Sequence, residues 1–315
     1  AIRRGDTEGI LAWGVESPEE LPAWAEARAL AGRSARGELR AVAADAWKPV
    51  EGLRGVYRAD AFTGLPGTVA VDGDALVERG APWELEPGEF VVTGECGPPK
   101  GADADKLKRK AEPLVGYVDA VNVTDNQTAV VRMASWAASL ILIQEGLEPN
   151  YQMVCRDRNR LAIQADILGA YAHGIRNMLC LSGDHQQFGD HPQAKGVFDV
   201  DSMQLIKMVK KMRDEGKFLG GAELDGIPKM FIGAAANPFA DPFEWRVHRL
   251  AKKVEAGCDF IQTQCIYNMD KFRKWIRQAN DMGLTEKVYI LAGVTPMKSV
   301  GMAKYMKSKV PGMDV

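Results

Sequence analysis

From Gly88 onward the chain repeats one pattern: a short apolar, β-prone run, a polar or breaker cluster, and then a stretch with helical spacing. The runs Phe90–Glu95, Ala120–Thr124, Tyr151–Arg156, Asn177–Gly183, Met230–Ala236, Phe260–Tyr267 and Val288–Val294 read as strands. The stretches Asp105–Tyr117, Thr128–Glu145, Asn159–Ala172, Asp201–Glu215, Pro242–Ala256, Asp270–Met282 and Lys298–Lys309 read as the helices that follow them. Continuous apolar strands are expected where both faces of a parallel sheet are covered. Strand–helix units in this number predict an α/β fold, a (β/α)8 TIM-type barrel, which takes about 250 residues. The chain ends at Pro311-Gly312-Met313-Asp314-Val315, so residues 86–315 are expected to form a barrel truncated after its seventh unit. An open doubly wound sheet is the alternative, but no G-x-G-x-x-G follows the first strand, and Gly220-Gly221 lies in another context.

Residues 1–85 differ in composition: rich in Ala, Arg, Glu and Gly, with Lys48 as their one lysine and no Cys, His or Met. Ser17-Pro18-Glu19-Glu20 is a helix start, and the turn signals between Leu53 and Val77, around runs such as Thr68–Val71, suggest a small β element. No chemistry is recognisable there, and the segment is left unassigned. The first Met is Met133, which implies a native start further upstream. A net charge of −2 argues against a nucleic-acid surface or a polybasic membrane face. Five cysteines without a C-x-x-C pair suit free, mostly buried thiols in a reducing, cytoplasmic compartment. No apolar run is long enough to span a bilayer, and the histidines lack metal-ligand spacing.

In such a barrel the chemistry gathers at the C-terminal ends of the strands. Those ends carry Glu95; Asn122, Thr124 and Asp125; Gln152, Arg156 and Asp157; Ser182-Gly183-Asp184-His185; Asn237; Gln262 and Gln264; and Thr295. Asp125 and Asp157 also read as helix N-caps, and Lys100 or Arg156 as an ion-pair partner for Glu95. Glu95 and Asp184 stand out, because an acid at a half-apolar strand end can be held protonated near neutral pH.

The ordered set Gly94-Glu95-Cys96-Gly97-Pro98-Pro99, Asn122-Val123-Thr124-Asp125, Leu181-Ser182-Gly183-Asp184, Lys253-Val254-Glu255-Ala256-Gly257 and Thr263-Gln264 resembles methylenetetrahydrofolate reductase over about residues 88–315. The resemblance implies a flavin across the strand ends that passes a hydride to 5,10-methylenetetrahydrofolate, yielding 5-methyltetrahydrofolate. It implies Glu95 as the general acid at folate N10, and Asp184 as a catalytic group holding the pterin near the flavin. It further implies Gln264 on the pterin, and Thr124, Gln152, Ser182, Gly183, Asn237 and Lys253 on the cofactor, Lys253 in its phosphate region. The family often has histidine at Gln152, arginine at Ser182, tyrosine at Gly233 and aspartate at Arg246. Several of these positions touch the ribityl, phosphate or adenine part of FAD, so the resemblance implies a flavin, FAD first, and the departures keep FMN open as the alternative. The implied reductant is NAD(P)H or an iron–sulfur partner subunit, in an oligomer or complex with neither nucleic acid nor membrane. The alternatives are a folate-binding barrel methyltransferase and a non-catalytic subunit or fragment.

Overall fold

The computed structural model describes residues 47–49, 57–59, 90–310 and 313–314. The helix start at Ser17 and the run Thr68–Val71 lie outside the described residues. Strands β1 (Trp47–Pro49) and β2 (Tyr57–Ala59) pair antiparallel, which places a β element partly within the stretch that the turn signals marked.

Seven further strands form one sheet: β3 (Thr93–Glu95), β4 (Ala120–Val123), β5 (Pro149–Val154), β6 (Asn177–Leu181), β7 (Phe231–Ala236), β8 (Phe260–Cys265) and β9 (Tyr289–Gly293). All neighbours are parallel, and the spatial order is the chain order. A doubly wound sheet reverses its strand order at a switch point; this sheet never does. Its winding is that of a TIM-type barrel, with seven strand–helix units among the described residues.

The helices are α1 (Ala104–Ala111), α2 (Ser135–Gln144), α3 (Arg160–Ala172), α4 (Ser202–Asp214), α5 (Trp245–Ala256), α6 (Met269–Asp281) and α7 (Val300–Lys309). Each follows its strand, because right-handed crossovers bring the chain back parallel. Their starts reflect local chemistry. Asn159 accepts from the amides of Leu161 and Ala162, and Asp201 closes a capping box with Gln204. α1 ends sooner than its spacing predicts, because Pro113 turns the chain into a short 3-10 segment at Glu112–Leu114. α2 begins seven residues later than expected, at Ser135 instead of Thr128, since Asn126, Thr128 and Ala129 all adopt positive φ.

Side chains alternate across the sheet. Met178, Cys180, Ile232, Ala234 and Ile261 point outward into the main core beneath α3–α6, together with Met208 and Met212 of α4. Leu179, Phe231 and Phe260 point inward, where the Phe231 and Phe260 rings stack at 5.3 Å. Gly233 makes that stack possible: a Cβ there would lie 2.2 Å from the tip of the Phe260 ring. Polar residues share the inner face. Asn150 Nδ2 donates to Asn122 Oδ1 at 2.6 Å, and Asn122 Nδ2 reaches Thr93 Oγ1 at 3.4 Å, a ladder across three strands.

Acids at the opposite end set the register. Asp119 Oδ2 accepts from the Val92 amide at 2.7 Å, while Val92 O accepts from the Asp119 amide, so β3 enters the ladder only at Thr93. Asp259 Oδ2 accepts from the Ile232 amide at 2.7 Å and from Arg213 at 2.5 Å. No described helix is long and apolar enough to cross a membrane. The five cysteines are free, four of them buried.

Candidate functional site

The inner face of the sheet and one side of α5 enclose a cavity of about 390 Å³. Of the residues singled out in the sequence, Glu95, Gln152, Asn237, Arg246, Lys253, Gln262 and Gln264 line it together. They come from β3, β5, the end of β7, α5 and β8. Leu179, Leu181, Ala235 and Ala236 supply an apolar wall between them.

Glu95 is the one carboxylate among the lining residues. It is the last residue of β3, and strand alternation turns it inward. The residue is exposed to solvent. The surrounding protein nonetheless raises its pKa through desolvation, against the opposing pull of the Lys110 ammonium and a hydrogen bond from Gln127. Lys110 itself donates to Gly97 O at 2.9 Å. Neither Lys100 nor Arg156 is the partner expected from the sequence. Arg156 is spent elsewhere, on Asp157 (2.7 Å), Asp184 O (2.9 Å) and Asn126 O (3.2 Å).

The acids read as N-caps do other work. Ala134 and Asn159 occupy the cap positions of α2 and α3. Asp125, 2% exposed, instead accepts from the Val154 amide at 3.0 Å and from Arg158 at 2.6 Å. Asp157 is held below the usual carboxylate range by Arg156 and Asn126, which outweigh its desolvation.

Thr124, Ser182, Gly183 and Asp184 are not among the cavity's lining residues. Thr124 Oγ1 is buried without a hydrogen-bond partner among the described residues. Ser182 Oγ accepts from the Ser202 amide at 3.3 Å and so ties β6 to the start of α4. Gly183 takes φ +88° with Val154 and Arg156 pressed against it, a position closed to larger residues. Asp184 is exposed; its carboxylate accepts from the Thr128 amide at 3.2 Å and joins the loops after β4 and β6.

α5 contributes more than the sequence reading assigned to it. Arg246, Arg249, Leu250 and Lys253 all line the cavity, at the i, i+3, i+4, i+7 spacing of one helical face. Arg249 was not singled out, although that spacing was legible. Arg246 Nε donates to Ala240 O at 2.7 Å, and its Nη2 to Asp241 O. Lys253 Nζ donates to Ala235 O. Its pKa is lowered, first by desolvation and then by the Arg249 charge.

These groups suit a flat heteroaromatic ligand with a polar edge. Gln262 Oε1, at the cavity wall, is buried with no partner among the described residues. An acceptor left so would cost stability unless a ligand N–H or a water completes it. Flavin and pterin rings both carry such donors, so the residues present fit the group that the sequence resemblance implies.

The family model described as "Methylenetetrahydrofolate reductase" matches residues 82–314. The chain is 25% identical over 177 residues to a probable methylenetetrahydrofolate reductase (NADPH) of Caenorhabditis elegans, covering 55% of this chain and 24% of that protein. It is 25% identical over 241 residues to methylenetetrahydrofolate reductase (NADH) 1 of Arabidopsis thaliana, covering 72% of this chain and 39% of that protein. The chain thus spans well under half the length of these curated relatives. A solved structure from Clostridium thermocellum, described as binding two copies of 5-methyl-5,6,7,8-tetrahydrofolic acid, aligns with TM-score 0.47 at 12% identity, covering 74% of this chain and 72% of that one. On the family match, which covers the whole parallel sheet and its helices, this chain belongs to the methylenetetrahydrofolate reductase family.

Proposed function

We propose that this chain reduces 5,10-methylenetetrahydrofolate to 5-methyltetrahydrofolate in the cavity bounded by β3, β5–β8 and α5. One observation carries the reading beyond family membership: a single carboxylate, Glu95, lines the cavity, and burial raises its pKa. A carboxyl group whose pKa is raised holds its proton to a higher pH than an ordinary glutamate, and from there it can protonate the folate N10 and open the five-membered ring. Bound flavin, once reduced, would supply the hydride to the methylene carbon exposed by that opening. Gln264 and Gln262 offer amide groups to the pterin or flavin edge, and Gln152 and Asn237 bound the same space. Leu179, Leu181 and Ala235 keep one wall dry. That strengthens each polar contact. Asp184 is proposed to act through the loop that it holds, and Thr124 through a hydroxyl that has no hydrogen-bond partner among the described residues. The reductant is proposed to be NAD(P)H, in keeping with the NADPH and NADH of the relatives' names.

The half-reactions separate the roles. Protein loaded with flavin and reduced by dithionite should be reoxidised on mixing with methylenetetrahydrofolate, read at the flavin absorbance band. In Glu95→Gln that reoxidation should fall by about 10²–10⁴-fold, the usual worth of a general acid, while dithionite reduction is unchanged. Equal loss of both half-reactions would make Glu95 structural, and absence of any flavin binding would overturn the reading.

A further inference from the structure

Glu95 lines the cavity, but the two groups that act on its carboxyl, Lys110 of α1 and Gln127 of the loop after β4, do not. Both therefore approach it from outside the cavity and leave its inner side open. The Gln127 side chain hydrogen-bonds Glu95. Its Oε1 also lies 4.0 Å from where a Cβ on Gly97 would stand, two residues further along the chain. Cys96, between them, is a buried thiol whose pKa burial pushes up. The cations on the cavity wall, Arg246, Arg249 and Lys253, all belong to α5.

The backbone around Gln127 is held in an unusual shape. Asn126 and Thr128 on either side of it, and Ala129 beyond, take φ of 41°, 57° and 57°, a left-handed region disfavoured for residues with a Cβ. Such residues persist where their surroundings force them, and they gather at functional sites. Asn126 Nδ2 donates to Asp157 at 3.0 Å, Asn126 Oδ1 accepts from the Arg132 amide at 2.9 Å, and Asn126 O accepts from Arg156. The Thr128 amide donates to Asp184, and Arg132 Nη1 donates to Pro98 O at 3.0 Å, three residues beyond Glu95. The loop is thus fastened to the chain after β3, β5 and β6, on both sides of Gln127. Gln127 and Glu95 are both exposed, so a hydrogen bond between them adds little to stability. What the fastening does is fix the acid.

We propose that Gln127 is a positioning residue for the general acid: its amide holds one carboxyl oxygen of Glu95 and confines the proton to the oxygen that faces the cavity. The inference rests on the proposed folate reduction. In that reaction the proton passes from Glu95 to N10. The bond from N10 to the methylene carbon breaks with its electron pair going to nitrogen, and Glu95 is left as a carboxylate. The Gln127 N–H bonds that carboxylate more strongly than the acid, so it favours the step as well as aiming it. Lys110 acts in the same sense from α1.

The test is Gln127→Leu, which keeps the bulk and loses the amide. The NMR signal of the Glu95 carboxyl carbon in the full chain, assigned by its absence from Glu95→Gln, is titrated in parent and variant. The midpoint should move up by about half a unit or more, since the lost N–H favoured the ionised form. The folate half-reaction, read as flavin reoxidation, should slow by about tenfold on its low-pH plateau, the worth of one hydrogen bond to a charged group. Its pH midpoint should move up as well. In the Glu95→Gln background the same substitution should bring no further loss, because Gln127 acts only through the acid. Gln127 is exposed, and an unchanged melting transition would confirm that the variant folds; Gln127→Ala is a second variant with the same expected shifts. An unmoved Glu95 midpoint, or a loss that multiplies with that of Glu95→Gln, would overturn the role of Gln127 and leave folate reduction standing. A parent chain whose reduced flavin is not reoxidised by methylenetetrahydrofolate would overturn the proposed function and this role with it.

Discussion

Asn150 and Asn122 face each other inside the sheet, joined by a 2.6 Å hydrogen bond between side chains that are both almost fully buried. Paired amides of this kind are worth little in net stability, but one alone is expensive. Asn122→Ala should therefore cost about 1–3 kcal/mol, while Asn122→Leu combined with Asn150→Leu should recover much of that loss. Urea titrations of the single and double variants measure the coupling. Additive losses would show that the two amides do not act as a pair.

Arg158 is the charge partner of Asp125, which is 2% exposed. Arg158→Met strands that carboxylate and should lower stability by about 3 kcal/mol, seen as a shifted denaturation midpoint with an unchanged slope. A loss under about 1 kcal/mol would mean that the Val154 amide alone satisfies Asp125.

Burial raises the Glu95 pKa, so the folded chain keeps this proton at pH values where the unfolded chain has released it. Stability from this group is therefore lost as pH rises from the ordinary glutamate value, about 4.3, through the raised folded value. Glu95→Gln removes that loss. The variant should match the parent at about pH 4 and exceed it at about pH 8, as judged from urea midpoints. A variant weaker at both would show that the contacts to Lys110 and Gln127 outweigh the burial.

Asp184 holds the Thr128 amide. Asp184→Ala should speed hydrogen exchange at Thr128 severalfold, the worth of one part-exposed hydrogen bond, whereas Asp184→Asn keeps an acceptor there and should restore slow exchange. If the Asn variant remains poor in folate reduction while exchange is normal, the charge itself acts on the substrate. If turnover recovers with exchange, Asp184 serves through its loop.

The strands were legible because burial on two faces leaves continuous apolar runs, and α3 and α4 because their helical spacing runs back to Asn159 and Asp201, the residues that cap them. The start of α2 was not. The amides of Thr128 and Val131 are taken by Asp184 and Asp190, acids more than fifty residues ahead in the chain. No local spacing records such a partner. The same loop-to-loop bonding explains why Asp184, read at the mouth with Glu95, is placed outside the cavity lining. Arg249 is the opposite case: its helical spacing from Arg246 and Lys253 was visible, but a cationic stripe gains meaning only when a cavity is seen beside it.

Gly233 and Phe260 share one volume: the ring of Phe260 lies where a side chain at 233 would have to go. The two positions therefore behave as a single steric unit and can change only together. A relative with a tyrosine at the position of Gly233 must shed or turn aside the ring at the position of Phe260, dismantling its stack on Phe231. The inner face of this sheet is thus a choice between alternative packings, and a substitution made at one of the two positions alone will report the clash and not the function.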